Sequence, residues 1–257
     1  MSATPAGGAP RDWDGATYDR IAAPMTRWGA GVLERLELAG DETVLDAGCG
    51  SGRVTEMLLD RLGAGRVIAL DAAPSMLAEA RRRLAPAGDR VEFVEGDLLE
   101  LSPAVLGGRT VDAVLSTATF HWVLDHDRLF ANLASVMRPG AALEAQCGAA
   151  GNIEGLLAAV RATGAERAGT WVYATPEETR ARLGRAGFDH VEVWTHPEPT
   201  RLERGEELET YLGTVCLRAH VAGLDGPDRA RLLRRVADAM PEPVIDYVRL
   251  NISARRS

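Results

Sequence analysis

Short apolar runs alternate with longer stretches of helical periodicity along most of the chain. The runs VLDA, RVIAL, VEFV, VDAVL and ALEAQC read as strands, and Val54, Met57, Leu58 and Leu62 are spaced as on a helix that packs one side against a sheet. This alternation predicts an α/β fold with a mostly parallel sheet.

The first strand leads directly into a glycine-rich turn. Val44 and Leu45 belong to the strand, and Gly48, Gly50 and Gly52 follow at every second position. Glycine accepts a positive φ and lets a ligand approach the backbone where a Cβ would block it. At the carboxyl edge of a sheet, with a helix N-terminus behind it, such a turn predicts a nucleoside-like ligand.

The turn differs from two phosphate-binding motifs. The third glycine of G-x-G-x-x-G would fall on Arg53, and the chain contains no G-x-x-x-x-G-K-[ST] loop. Asp46, before the first glycine, repels phosphate but accepts from an ammonium group or water, which favours a cationic amino-acid moiety. The next strand ends at Asp71, about 20 residues beyond Gly52, the usual position of a carboxylate that binds ribose hydroxyls.

Three motifs resemble those of the class I S-adenosylmethionine-dependent methyltransferases. They are VLDAGCGSGR, VIALDAAPSML and VEFVEGDLLEL, in the right order and spacing. WDGATYDR and TFHWVLDHDRLFANLASVMRPG are most similar to the trans-aconitate methyltransferase group, with the malonyl-carrier-protein carboxyl methyltransferases close behind. The resemblance implies a Rossmann-like seven-stranded methyltransferase sheet with helices on both faces and a helical lid before the last strand, in a single domain over 1–257.

The resemblance also implies that S-adenosylmethionine is the cofactor. Asp97 would accept from the exocyclic amine of adenine, and Leu98 would cover a ring face. Backbone carbonyls of Ser116 and Thr117 would line the sulfonium, although related enzymes commonly carry Asn in place of Thr117. The predicted cofactor set is Tyr18, Arg27, Asp46, Gly48, Cys49, Gly50, Gly52, Asp71, Ala72, Met76, Asp97, Leu98, Ser116 and Thr117, with a core role for Met76 as the alternative.

The N-terminal segment has two predicted parts. Residues 1–12 are small, polar and rich in Pro and Gly, which predicts a disordered tail. Residues 13–39 predict two short helices broken near Pro24, and the resemblance implies that they cover the cofactor. Tyr18 and Arg27 would contact its methionine end or, alternatively, brace the helix pair.

The second half of the chain also divides into predicted elements. Thr175 and Glu178 form a capping-box pattern at the start of a helix. The predicted elements are helices over 153–162 and 176–186, strands over 141–147, 188–194 and 244–252, and a helical lid over 200–240.

The reactive centre is expected at the carboxyl end of the fourth strand, beside the first, where the strand order switches. His121 could bind the substrate or act as a catalytic base, since an imidazole titrates near neutrality; alternatively it packs with Trp122 under the N-terminal helices. Arg249 beside Tyr247, or Arg27, could hold a second carboxylate of the substrate, although Arg249 could instead face solvent. The predicted substrate set is Trp28, His121, Trp122, Tyr247 and Arg249.

No metal site is predicted. Asp125 fits a helix N-cap, and His126 and Asp127 fit the solvated first turn of that helix. Three widely spaced cysteines suggest neither a disulfide framework nor a zinc site.

Composition and charge narrow the function. A net charge of −8 argues against nucleic acid as substrate. No apolar stretch approaches the roughly 18 residues of a membrane helix, so no membrane partner is expected, and a cytoplasmic location is predicted.

The predicted function is methylation of a small molecule, most readily O-methylation of a carboxylate, which needs no base at neutral pH. The alternatives are O-, N- or C-methylation of a secondary metabolite, a non-catalytic cofactor-binding protein of the same fold, or a dehydrogenase, against which Arg53 argues. The sequence predicts no oligomeric state.

Overall fold

The computed structural model describes residues 23–165 and 171–257, which form a mixed α/β fold. The helices are α1 (Ala23–Arg35), α2 (Arg53–Arg61), α3 (Pro74–Leu84), α4 (His126–Val136), α5 (Glu154–Ala162), α6 (Pro176–Arg185), α7 (Glu206–Tyr211), α8 (Arg218–Val221) and α9 (Gly226–Ala239). The strands are β1 (Thr43–Ala47), β2 (Arg66–Asp71), β3 (Val91–Glu95), β4 (Val111–Thr117), β5 (Met137–Gly148), β6 (Phe188–Pro197), β7 (Thr200–Arg201), β8 (Val244–Ile245) and β9 (Val248–Arg256).

The central sheet has the strand order β3-β2-β1-β4-β5-β9-β6, counted over the described residues. Strands β1 to β5 run parallel, whereas β9 is antiparallel to both β5 and β6. The order switches where β1 lies between β2 and β4, and ligands of open α/β sheets bind outside the strand ends at such a switch. The predicted Rossmann-like seven-stranded sheet is confirmed.

Neighbouring residues of the central strands pack on opposite faces, as the two-residue period of a strand requires. Leu45 and Val114 belong to a core shared with α4, while Val44 and Ala113 belong to a core shared with α1, α2 and α3. Both faces of the sheet are therefore buried under helices, which explains why its strands are apolar almost throughout.

The segment between β7 and β8 is helical, as predicted. It contains α7, a π-helical turn over Leu212–Cys216, α8 and α9. Its apolar side chains share a core with α5, with Trp28 of α1 and with Tyr247. The same core thus joins the segment before the last strands to the N-terminal helix.

The structure differs from the prediction near the C-terminus, and part of the N-terminal prediction lies outside the described residues. The predicted strand over 244–252 is wrong, because the chain turns at Tyr247, whose N–H donates to the Ile245 carbonyl at 3.0 Å. Strand β8 therefore pairs with β7, and β9 enters the central sheet separately. Residues 1–22 lie outside the described residues, as does the first predicted N-terminal helix; α1 begins at Ala23 and has Pro24 in its first turn, where proline is tolerated.

No helix within 23–165 and 171–257 combines the length and the apolar character needed to cross a membrane.

The predicted capping box at the start of α6 is confirmed. The Thr175 hydroxyl accepts from the Glu178 N–H at 3.2 Å, and the Glu178 carboxylate accepts from the Thr175 N–H at 3.1 Å. The helix packs on α4 and β6, so its first turn helps to fix one face of the sheet.

Thr175→Ala is expected to lower the free energy of unfolding by about 1 kcal/mol, because the N–H of Glu178 loses its acceptor. Thr175→Ser keeps the hydroxyl and is the matched control. Urea denaturation followed by circular dichroism measures both. An alanine variant as stable as the serine variant would contradict the contribution of this cap.

Candidate functional site

A cleft with a volume of about 350 Å³ opens at the carboxyl ends of β1, β2, β3 and β4. The loops that follow these strands supply most of its walls, and α1, α2, α3 and α8 supply the rest. From the loops it is lined by residues 48–51, 70–73, 96–99 and 117–119, and from the helices by Met25, Thr26, Arg53, Val54, Met76, Arg218 and Ala219, with Trp122, Val123 and Leu124 at the end of the β4 loop.

The glycine-rich turn forms the floor of the cleft. Gly48, Gly50 and Gly52 have φ of 85°, 54° and 81°, in the left-handed region that favours glycine. A Cβ at Gly48 would lie 2.2 Å from the hydroxyl oxygen of Thr119, so only a residue without a Cβ fits at this position. A Cβ at Gly50 would meet no protein atom within 4 Å and would extend into open space beside the cleft.

Asp71 fastens the turn to the end of β2. Its carboxylate accepts from the Gly50 and Ala73 N–H groups, each at 2.8 Å. The Leu70 carbonyl accepts from the Gly48 and Cys49 N–H groups at 2.8 and 3.0 Å. Burial raises the pKa of Asp71 above its usual value, and the side chain also lines the cleft.

Asp46 does not line the cleft, although the sequence placed it in the cofactor set. Its side chain is buried behind the turn, where the Thr55 hydroxyl donates to Oδ2 at 2.6 Å. No described group donates a hydrogen bond to Oδ1. Burial, helped by the nearby Asp71 charge and opposed by the Thr55 hydrogen bond, raises the pKa of Asp46 to about 7.

Most of the other predicted cofactor residues come together in the cleft. Those that line it are Gly48, Cys49, Gly50, Asp71, Ala72, Met76, Asp97, Leu98 and Thr117. Gly52 stands just behind, where a Cβ would contact Ala80 of α3 at 3.2 Å. Met76 is both buried and in the lining, so the core and the pocket interpretations of this residue are compatible.

Besides Asp46 and Gly52, two more predicted cofactor residues are not in the lining. The Ser116 hydroxyl donates to the Ala47 carbonyl at 2.7 Å inside the sheet. Arg27 is exposed and pairs with Glu198 at 2.8 Å, because it lies on the outer side of α1. Tyr18 lies outside the described residues.

A second, smaller cavity adjoins the cleft and shares Met25, Ala118 and Trp122 with it. We call it the chamber. Its lining is Met25, Trp28, Ala118, His121, Trp122, Asn152, Ile153, Trp171, Tyr173, Val215, Cys216, Tyr247 and Arg249. All five predicted substrate residues are therefore brought together here.

Arg249 is buried, with 2% of its surface exposed, so it does not face solvent. Its guanidinium carbon lies 4.6 Å from the centre of the Trp28 ring, a cation–π contact. Its Nε donates to Gln146 Oε1 at 3.2 Å, and the Gln146 amide in turn donates to Asn251 Oδ1 at 3.0 Å. The side chain thus contacts Gln146 of β5 and Trp28 of α1.

His121 is arranged as a hydrogen-bond donor. Its Nδ1 accepts from the Gly148 N–H at 3.3 Å, which places the proton of the neutral ring on Nε2. Burial lowers the pKa of His121 well below its usual value, and the charge of Arg249 lowers it further. This geometry disfavours the predicted role as a base, and His121 lines the chamber.

Several lining residues were not found from the sequence. Ala118, which joins the two cavities, has a φ of 56°, a conformation that its side chain gives no reason to expect. Trp171 and Tyr173 follow α5 without a recognisable motif. Their aromatic character is the only signal in the sequence that could have indicated a packed surface. Arg218 of α8 comes from the lid segment, about which the sequence predicted no contact.

The residues around Asp125 do not form a metal site. Asp125 caps α4 as predicted, accepting from the Arg128 N–H at 2.9 Å. The prediction that His126 is solvated is wrong: its ring is buried, and Nε2 lies 2.9 Å from the Phe120 carbonyl oxygen. Across the described residues, no group of three or more His, Cys, Asp or Glu side chains is arranged to hold a metal ion.

Comparisons with known proteins show which proteins this chain resembles. Residues 44–140 match the family described as Methyltransferase domain. The chain is 36% identical over 135 residues to trans-aconitate 2-methyltransferase of Acidovorax ebreus, covering 52% of this chain and 49% of the relative, and 34% identical to that of Escherichia coli, covering 52% and 50%. The chain thus spans about half the length of the curated relatives it matches.

Solved structures show the same fold at low sequence identity. A phosphoethanolamine N-methyltransferase 2 of Haemonchus contortus aligns with a TM-score of 0.62 and 17% identity, covering 94% of this chain and 56% of that one. The YcgJ protein of Bacillus subtilis aligns with a TM-score of 0.64 and 13% identity, covering 90% and 98%. The predicted resemblance is confirmed: residues 44–140 match the methyltransferase family, and the chain has the fold of these solved structures.

The raised pKa of Asp46 predicts a pH-dependent stability of the ligand-free protein. Because the folded-state pKa is about 7 rather than the usual 3.8, stability from this group is complete below about pH 4 and is lost as the pH rises towards 7. Asp46→Asn cannot ionise and is expected to gain, relative to wild type, on the order of 2 to 4 kcal/mol between about pH 4 and about pH 8.

Urea denaturation of both proteins across that range is the measurement. Asp60→Asn, an exposed change on α2, is the control and should show no such trend. A difference between Asp46→Asn and wild type that stays constant with pH would contradict the raised pKa.

Proposed function

We propose that this protein binds S-adenosylmethionine in the cleft and methylates a carboxylate of a small molecule held in the chamber. The match to the methyltransferase family and the trans-aconitate methyltransferases that resemble half of the chain support the class of reaction. The observation that carries the proposal is the junction of the two cavities at Ala118 and Trp122.

The residues of the cleft fit this cofactor. Gly50 leaves bare space at the turn, where a nucleoside can approach the backbone. Asp71 lines the cleft beside that space and is placed to accept from ribose hydroxyls. Asp97 and Leu98 follow β3 and would bind the adenine, and Thr117 would lie towards the sulfonium. When bound, S-adenosylmethionine supplies an electrophilic methyl group.

The chamber fits an anionic acceptor. Among its described lining residues it contains the guanidinium of Arg249 and neither Asp nor Glu. Arginine holds a carboxylate through two parallel hydrogen bonds, which fixes the orientation of the acid as well as its position. An amine acceptor is disfavoured, because its ammonium group would lie near that guanidinium.

The work left to the protein is alignment and exclusion of water. A carboxylate is ionised at neutral pH, so its oxygen attacks the methyl carbon without loss of a proton, and the carbon–sulfur bond breaks with its electron pair going to sulfur. Orientation of two bound reactants contributes up to ~7–11 kcal/mol of the barrier. A base is not needed, in agreement with the accepting Nδ1 of His121.

Asp71→Asn is expected to weaken binding of S-adenosylmethionine roughly 10- to 100-fold, because hydrogen bonds to a charged group are lost. Calorimetric titration with S-adenosylmethionine and S-adenosylhomocysteine measures this, and Asp60→Asn is the matched control. If the wild-type protein bound neither compound, the proposed function would be contradicted. If Asp71→Asn left the affinity unchanged, only the proposed contact between Asp71 and the ribose would be contradicted.

Arg249→Met is expected to raise KM for the acid at least about 30-fold, since the substrate carboxylate would be buried without its cation. Methionine is unbranched and flexible, so it can fill much of the space of the arginine stem. The matched variant is Arg27→Met, which removes an exposed arginine outside both cavities and should leave KM unchanged. Steady-state kinetics with radiolabelled methyl donor give both values, and equal KM in the two variants would contradict the assignment.

A further inference from the structure

We infer that the chamber selects a compact acid with one carboxylate and a planar aromatic body, in preference to a tricarboxylate such as the trans-aconitate after which the curated relatives are named. This inference rests on the proposed function, and it names the substrate class of the same site. Two independent observations carry it: the arrangement of aromatic rings in the lining and the distribution of charge.

A continuous stack of rings forms part of the chamber. Tyr173 is stacked on His121, with ring centres 5.9 Å apart and planes 28° apart, and on Trp171, at 5.8 Å and 10°. His220 continues the stack beyond Trp171 at 5.6 Å and 26°. Trp122 leans against this stack, with its centre 5.1 Å from that of His121 and 5.9 Å from that of Trp171.

The remaining aromatic lining is joined to the cation. Trp28 and Tyr247 meet edge to face at 5.0 Å, and the guanidinium of Arg249 lies over Trp28. A flat ring in the chamber would therefore lie among aromatic side chains while a carboxylate attached to it reaches Arg249. Aromatic pairs gain binding energy beyond that of their buried area, which a saturated body of the same size does not.

The charge in the chamber matches one carboxylate. Of the described lining residues, Arg249 is the only permanently charged cation, and His121 is held neutral by burial and by Arg249 itself. Arg53 and Arg218 line the cofactor cleft instead. A tricarboxylate would bring three negative charges to one guanidinium, and a buried charge without a partner is strongly unfavourable.

The dimensions of the chamber also favour a compact acid. Its volume is about 50 Å³, against about 350 Å³ for the cleft. The chamber alone is smaller than a cavity that holds one aromatic ring, so the body of a compact acid extends into the junction with the cleft at Ala118 and Trp122. Methylation then neutralises the only anionic group, so the ester product loses its ion pair with Arg249 and is released more readily than the acid binds.

The test compares three acids: benzoate, cyclohexanecarboxylate and trans-aconitate. The first two share charge and size and differ in planarity, and the third differs in charge. Each is titrated calorimetrically into protein saturated with S-adenosylhomocysteine. Benzoate is expected to bind about 2- to 10-fold more tightly than cyclohexanecarboxylate, and at least about 10-fold more tightly than trans-aconitate.

A pair of tryptophan variants locates the effect. Trp171→Leu removes a ring from the stack and is expected to abolish most of the preference for benzoate over cyclohexanecarboxylate. Trp194→Leu makes the same change at an exposed position on β6, outside the chamber, and should keep the preference. Thermal unfolding of each variant establishes that it is folded before titration.

The outcomes separate this inference from the proposed function. Equal binding of benzoate and cyclohexanecarboxylate, tighter binding of trans-aconitate, or binding of no acid would each overturn the inference. Trans-aconitate that binds most tightly and is methylated would overturn it while leaving carboxylate methylation intact. Benzoate that binds with the expected preference, but yields no methyl ester from radiolabelled donor, would instead contradict the proposed reaction.

Discussion

The hydrogen bonds between the Asp71 carboxylate and two backbone amides are the constraint on which the site depends. The turn after β1 has three glycines in the left-handed region, and β2 holds its amides: Gly48 and Cys49 donate to the Leu70 carbonyl, and Gly50 donates to Asp71. Asp71 also accepts from Ala73 in the loop after β2, so one carboxylate joins the two loops. Asp71 lies in the cleft lining as well, so the residue that holds the floor in place also borders the cleft.

Holding the turn in this way has an electrostatic cost, which falls on a buried carboxylate behind the turn. Asp46 and Asp71 are both buried near the turn, and their mutual repulsion adds to the effect of burial on the pKa of Asp46. Thr55 offsets part of this by donating to Asp46 Oδ2. Asp46 is thus better understood as a support behind the turn than as a group that contacts the ligand, which corrects the interpretation drawn from its position before the first glycine.

The cleft could be predicted from sequence because its residues are local to strand ends. Gly50, Asp71 and Asp97 each follow an apolar run, and parallel strands bring their carboxyl ends to one edge of the sheet. The chamber was predicted only in part. Trp171 and Tyr173 belong to one segment and Cys216 to another, and no periodicity in the sequence connects the two. The backbone carbonyl of Ser116 was expected beside that of Thr117, but only Thr117, the last residue of β4, is in the cleft lining.

The position of Arg249 is coupled to the helix that covers the site. Gln146 accepts from Arg249 and donates to Asn251, which also accepts from Arg35 of α1 at 3.4 Å. Arg35 is anchored in turn by the buried Glu144 at 2.9 Å. Trp28, on the same helix, lies under the guanidinium. The packing of α1 therefore fixes both the aromatic ring beneath the guanidinium and part of the hydrogen-bond network that orients it.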